Sequence, residues 1–293
     1  MHRNMRTTDD VLTLLDDLFA PGAHRWTADA ASWWDGFYED RAKPVPFFAE
    51  KPDESLVSYV DRGLVTPGRA LELGCGPGRN AHALASLGFD VDAIDLSPAA
   101  IAWAEERAEV PGAGARFHCG DAFVLTSDGA DGAGGAGGFD GADRADGADD
   151  AGRADDAGRV GGAGGASSAG GAELAGPYDL IYDSGCFHHL PPHRRISYLA
   201  LLDRCLAPGG HFALTCFAAG EGGMGSELPD AELYRQGNLG GGLAYTSEEL
   251  RDIFSVSGLT EVELRRMRDE APESPVFGES FLWTALFRRE ARR

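Results

Sequence analysis

Apolar and polar positions along this chain change period repeatedly. Short apolar runs end at glycine, and stretches with helical spacing follow them. Residues 69–73 (RALEL) read as a strand, 79–87 as a helix and 90–96 (DVDAIDL) as a second strand. Ser97 and Pro98 read as an N-cap and a first-turn proline, opening a helix through about Arg107. Residues 115–121 (ARFHCGD) and 178–185 (YDLIYDSG) supply two more strands. Pro191-Pro192 opens a helix with Ile196, Leu199, Leu202 and Leu206 on one face. Pro208-Gly209-Gly210 stops it, and 211–217 (HFALTCF) forms a fifth strand. Thr246 and Glu249 have capping-box spacing for a helix through about Phe254. Residues 260–267 and 281–288 close the pattern as strands.

Alternating strands and helices predict an α/β domain over 66–293, with helices on both faces of a sheet. Right-handed crossovers make it a doubly wound, mostly parallel seven-stranded sheet. Residues 1–65 are expected to form a short N-terminal cap. It holds an amphipathic helix, Thr8 to Phe19, and an aromatic cluster, WWDGFY (33–38) with PVPFF (44–48). Residues 127–176 break the pattern. They are almost wholly Gly, Ala and Asp, with nine Asp, one Glu and three Arg. So little apolar bulk cannot offset ordering entropy, so this segment is expected to be a flexible insert between two strands.

Composition narrows the function. Lys and Arg number 26 against 47 Asp and Glu, a net charge of −21. Such a chain is repelled by nucleic acids and anionic membranes, so neither is an expected partner. No apolar run reaches membrane-spanning length, and acids interrupt the N-terminal apolar stretch, unlike a signal peptide. The five cysteines stand singly without a CxxC, which fits reduced thiols in the cytoplasm and no metal site.

The first strand-to-helix turn reads Glu72-Leu-Gly-Cys-Gly-Pro-Gly-Arg-Asn80. Gly74, Gly76 and Gly78 let a backbone approach a ligand closely. Asp95, at the end of the second strand, can accept both hydroxyls of a ribose. The run is GxGxG, with Arg79 where a dinucleotide fingerprint has its third glycine, and no GK[ST] follows. A cofactor without phosphates therefore fits better than NAD(P) or a nucleoside triphosphate.

These blocks resemble class I S-adenosylmethionine-dependent methyltransferases: ELGCGPGRN, AIDLS, CGDAF and YDLIYDSGCFHHL in order, then LAPGGHFALT. The resemblance implies a Rossmann-like methyltransferase fold with S-adenosyl-L-methionine as cofactor. Glu72 would hold the methionine ammonium, the Gly74–Gly78 turn with Cys75 and Asn80 would line the cofactor, and Asp95 would clasp the ribose. Asp121 and the Ala122 amide would meet the adenine edge, Leu96 and Phe123 its faces, and Asp183 the methyl-bearing end.

Within that superfamily, YDLIYDSGCFHHLPPHRRISYLALLDRCLAPGG resembles the thiopurine methyltransferase and tellurite-resistance group, through Asp183, Gly185, Pro192, Arg195 and Tyr198. The resemblance implies methyl transfer to a small-molecule acceptor through a sulfur, oxygen, nitrogen, metalloid or halide nucleophile. His188 and His189, with Asp183, are the catalytic candidates, one histidine acting as a base or an orienting donor. The alternative is that the histidines cap the following helix or pack on the cofactor. Trp33, Trp34, Tyr38, Phe47, Phe48 and His188 are the substrate-binding candidates, with Ala218 to Tyr245 a second lid. Arg41, Arg194 and Arg195 would pair with an anionic acceptor or lie solvated. Base-methylating enzymes carry a Pro-Pro-aromatic run where this chain has Asp183-Ser-Gly-Cys, which argues against a nucleic-acid substrate. The rivals are a nicotinamide-dependent oxidoreductase and a non-catalytic cofactor-binding protein.

Overall fold

A computed structural model describes residues 7–19, 30–108, 114–125, 174 and 176–291. The expected insert, 127–176, lies outside the described residues except for 174 and 176. Strand β1 (Arg69–Leu73) is followed by β2 (Asp90–Asp95), β3 (Arg116–Cys119), β4 (Tyr178–Ser184), β5 (Leu206–Phe217), β6 (Leu259–Arg266) and β7 (Leu282–Arg289). They form one seven-stranded sheet in the order β3-β2-β1-β4-β5-β7-β6, with β7 antiparallel to both its neighbours and the other pairings parallel. The strand order reverses between β1 and β4, where Leu73 stands opposite Asp183. Connections leaving those two strands diverge there and open a crevice.

Strand alternation sorts the core into two layers. Leu71, Leu73, Ile181 and Phe212 face α7 (Arg195–Cys205) and α9 (Ser247–Ser255), packing with Tyr198, Leu202 and Phe254. Ala70, Leu180, Tyr182 and Ala213 face the other way, with residues of α3 (Glu54–Asp61), α4 (Arg79–Ser86) and α5 (Pro98–Glu106). The expected caps are present: Ser97 Oγ accepts from the Ala100 amide, and Thr246 with Glu249 completes a capping box.

The boundaries differ from expectation in places. Strand β5 begins at Leu206 rather than 211, because Leu206 already pairs with Tyr178 before a register shift. Helix α7 follows a single 3₁₀ turn, and its buried face is Tyr198, Leu201, Leu202 and Cys205. Ile196, expected on that face, is 55% exposed, because the 3₁₀ turn changes the phase at which the helix begins. Four helices lie in stretches that gave no clear helical reading: α2 (Ala30–Glu39), α3, α6 (Ala122–Leu125) and α8 (Asp230–Gln236). The expected N-terminal helix α1 (Thr8–Phe19) is present. Among the described residues no helix is long and apolar enough to cross a membrane, and no acid, thiol and imidazole cluster is placed to hold a metal.

Helix α2 docks on the sheet through a polar contact. Asp35 Oδ1 accepts from the Ala99 amide at 2.7 Å and from Ser97 Oγ at 3.0 Å. A carboxylate at a helix N-terminus also meets the positive end of the helix dipole.

Candidate active site

A cavity of about 610 Å³ lies over the carboxyl ends of β1, β2 and β4. That is the size of a small-molecule site. Helices α1 and α2 roof it, contributing Thr13, Asp16, Trp34 and Tyr38. Gly74, at the start of the Gly74–Gly78 turn, lines it beside the end of β1. Gly76 has φ +51° and a Cβ there would stand 2.8 Å from the Tyr38 hydroxyl, so both backbone and space require glycine.

Asp95 sits at the tip of β2 in the cavity wall. Its Oδ2 accepts from the Gly76 amide at 2.8 Å and its Oδ1 from the Ser97 amide at 2.9 Å. Burial pushes its carboxyl up to about 6, against the opposing pull of the Ser97, Gly76 and Leu96 amides. Each oxygen keeps a lone pair, so the carboxylate can still accept two hydroxyls. Leu96, Asp121, Ala122 and Phe123 line the same end, with Asp121 Oδ1 accepting from the Phe123 amide at 2.8 Å.

At the other end His188 and His189 face the cavity beside Trp34, Phe217 and Met224. His188 is buried and stacks on Phe217, with centroids 3.8 Å apart. His189 stands edge-on to Trp34 at 5.1 Å. Phe47 also reaches the cavity, as does Cys186, whose thiol is pushed well up by burial and by Asp183. Met224 comes from the expected second lid, 218–245, which closes on itself through bridges Ala218 to Tyr245 and Ser226 to Leu243.

Several expected site residues lie elsewhere. Asp183 does not line the cavity. Strand alternation turns it toward α7, where Oδ1 accepts from the Cys186 amide at 2.8 Å and Oδ2 from Tyr198 Oη at 2.6 Å and the Phe187 amide at 3.0 Å. Burial pushes its carboxyl up to about 7. It holds the turn after β4. Asn80 is likewise turned inward, its Oδ1 accepting from the Asp53 amide at 2.9 Å. Cys75 is a buried wall residue behind the turn, and Gly76 and Gly78 lie beneath the surface that the cavity exposes. Trp33 stacks on Phe37 at 5.5 Å, and Phe48 packs edge-on against Trp103 at 5.0 Å, so neither reaches the cavity. Arg41 pairs with Glu106 and Arg195 with Asp230, both away from it. Arg194 does line it, paired with Asp16.

The sequence reading missed a buried polar network behind the glycine turn. Arg79, taken only as a mismatch to another motif, lines the cavity and is 7% exposed. It pairs with Asp53 at 2.6 Å and donates to Ser184 Oγ at 3.0 Å. Asp53 is wholly buried, and its Oδ2 accepts from Tyr182 Oη at 2.6 Å and Ser184 Oγ at 2.7 Å. Glu72 lies in the same region rather than on the cavity wall. Burial pushes its carboxyl up to about 8, against Arg79, and its Oε2 has no hydrogen-bond partner among the described residues. The position of Arg79 directly after the glycines was the available signal; Asp53 offered none.

Residues 43–264 match a family described as a methyltransferase domain. The chain is 27% identical over 114 residues to Probable S-adenosyl-L-methionine-dependent methyltransferase TehB of Haemophilus influenzae, a stretch covering 35% of this chain and 40% of that protein. It is 55% identical over 106 residues to Hemagglutinin 1 of Eikenella corrodens, covering 32% and 35%. The chain thus spans less than half the length of these curated relatives. A structure from work on the conversion of a disulfide bond into a thioacetal group during echinomycin biosynthesis superposes with a TM-score of 0.57. It is 22% identical and covers 90% of this chain and 94% of its own, a likeness of fold alone.

Proposed function

The chain belongs to the methyltransferase-domain family, and on that premise we propose that it transfers a methyl group from S-adenosylmethionine to a small-molecule acceptor by in-line displacement. The observation that carries this is Asp95: a buried carboxylate at the tip of β2, tied to the glycine turn through Gly76 and open to the cavity. An acid so placed fits a ribose diol.

The remaining groups fit the same ligand. Leu96 and Phe123 offer apolar faces for the adenine, and Asp121 with the Ala122 amide offers an acceptor and a donor for its edge. Arg79 lines the cavity as a cation, and Glu72 behind the turn keeps an Oε2 with no partner among the described residues. That pair suits the zwitterionic end of methionine, the carboxylate on Arg79 and the ammonium toward Glu72. The cofactor, when bound, supplies an already activated methyl on its sulfonium, so the chain's task is positioning and exclusion of water. Trp34, Phe47, His188, His189 and Phe217 do this at the acceptor end, where a cationic transition state also meets aromatic faces. Single cysteines without a CxxC suit a reducing compartment such as the cytoplasm.

Calorimetric titration with S-adenosylhomocysteine tests the cofactor reading. Binding by the native chain and its loss in Asp95→Ala are the expected results; unchanged affinity in the variant removes the site. Methyl-labelled cofactor with a panel of thiols, phenols, amines and metalloid anions then identifies the acceptor. Cofactor binding with no transfer to any of them would favour the non-catalytic reading.

A further inference from the structure

One polar side chain docks helix α2 beside the cavity, and a second, one turn on, reaches into it. Asp35 docks the helix on Ser97 and Ala99, at the first turn of α5 and directly after Asp95. Tyr38, three residues on, falls on the same helical face and is carried over the glycine turn. Its ring is fixed between Phe48, 5.7 Å away, and Trp34, 6.2 Å away. The residue is 93% buried, at 7% exposure, and lines the cavity.

The hydroxyl is the unexplained part. It lies 2.8 Å from where a Gly76 Cβ would stand and makes no hydrogen bond with another described residue. Packing alone would be served by phenylalanine, as it is at positions 37, 47 and 48. The sealed side-chain atoms that lack a partner among the described residues do not include it, so the hydroxyl opens on the cavity, where a ligand atom can take its hydrogen bond.

We propose that the Tyr38 hydroxyl donates a hydrogen bond to a ribose oxygen of the bound cofactor, so that cofactor occupancy tightens the docking of α2 over the site. This rests on the methyltransferase reading above. The ribose is preferred over the methionine end because the hydroxyl lies against Gly76, whose amide donates to Asp95 Oδ2 at 2.8 Å. Burial, together with the Asp95 charge, holds the phenol proton on at neutral pH, which makes the group a donor. Tyr38 is thereby a positioning residue: it couples the cap to cofactor occupancy and leaves the acceptor chemistry to other groups.

The test compares the native chain with Tyr38→Phe, which keeps the ring. Two probes are titrated: S-adenosylhomocysteine, and methylthioadenosine, which has the ribose but lacks the amino-acid end. Amide hydrogen exchange is followed across residues 30–39. Tyr38→Phe is expected to weaken both probes about 5- to 10-fold, the effect of one hydrogen bond. It is also expected to abolish the slowing of exchange in α2 that the probes produce in the native chain. Asp35→Ala, which touches no cofactor atom, is expected to abolish the same slowing by undocking the helix. Native affinity for both probes in Tyr38→Phe overturns the proposal. So does weakening for S-adenosylhomocysteine alone, or retained slowing in α2. If Asp95→Ala loses binding while Tyr38→Phe does not, the cofactor site stands and only this inference falls. If the native chain binds neither probe, both fall.

Discussion

The backbone amide of Phe217 donates to Nδ1 of His188 at 3.3 Å, while the two rings stack 3.8 Å apart. An imidazole nitrogen that accepts from an amide carries no proton, so the neutral ring keeps its proton on Nε2. In that tautomer Nε2 already carries its proton and Nδ1 is engaged by the amide, so the ring has no free nitrogen to take a proton. We propose that His188 acts as an orienting donor rather than as a general base. His188→Phe preserves the stack and removes the acceptor. Its unfolding free energy, read from urea denaturation, is expected to fall by about 1–3 kcal/mol from the orphaned amide. A loss below about 0.3 kcal/mol would mean that the amide bond carries no weight.

Cofactor affinity should follow the ionisation of two buried acids. Asp95 is pushed up to about 6 and Glu72 to about 8, in both cases chiefly by burial. Each binds a hydroxyl pair or an ammonium only as the carboxylate, so below its pKa the ligand must first expel a proton. Affinity for S-adenosylhomocysteine therefore tightens as pH rises through 6, by about tenfold per unit on the acid side, and again through 8. Glu72→Gln should remove the second rise and keep the first. A flat profile between about pH 5 and 7 is incompatible with this role of Asp95. The same shifts act oppositely on the ligand-free fold. A carboxyl raised above its unfolded value weakens the fold once ionised, so stability falls as pH climbs from about 4 through 6.

Asp183 should prove structural. Its carboxylate satisfies the amides of Cys186 and Phe187 and the hydroxyl of Tyr198, all in a dry environment. Asp183→Ala orphans three buried donors at once and is expected to cost several kcal/mol, on the order of 3–5. Protein recovered at low temperature should still bind S-adenosylhomocysteine within about threefold of native. Folded protein that has lost binding altogether would return Asp183 to the cofactor.

The roof should loosen in acid. Asp16 of α1 accepts from His193 Nε2 at 2.7 Å and pairs with Arg194, and His193 Nδ1 meets Tyr234 Oη of α8 at 2.6 Å. Burial alone would raise the Asp16 carboxyl, but His193 and Arg194 overcome it and hold the group below its ordinary value. A lowered carboxyl stabilises the fold above its unfolded pKa, near 4, and that contribution disappears as pH falls through the folded value. Amide exchange across residues 8–17 should therefore quicken below about pH 4 beyond its intrinsic pH dependence, and in Asp16→Asn at neutral pH. Unchanged exchange in the variant would show that α1 is held by apolar packing alone.

The order of strands and helices, the glycine turn and the acids at successive strand tips were legible in the chain itself. Each rests on local physics: period, caps, and glycine where a backbone must bend close to another group. Asp95, Asp121 and Phe123 needed only to follow their strands to fall at the cavity. Asp183 also follows its strand, but the side to which it turns depends on which layer of helices covers that face. Asp53 and Ser184, 131 positions apart, meet across Arg79 only because α3 packs on the sheet. Likewise Trp34 and Tyr38 reach the cavity while Trp33 and Phe48 do not, a choice made when Asp35 seats α2 on α5. Local pattern fixes which residues can sit together on a strand or helix face; the packing of those elements decides which faces meet and which side chains they enclose.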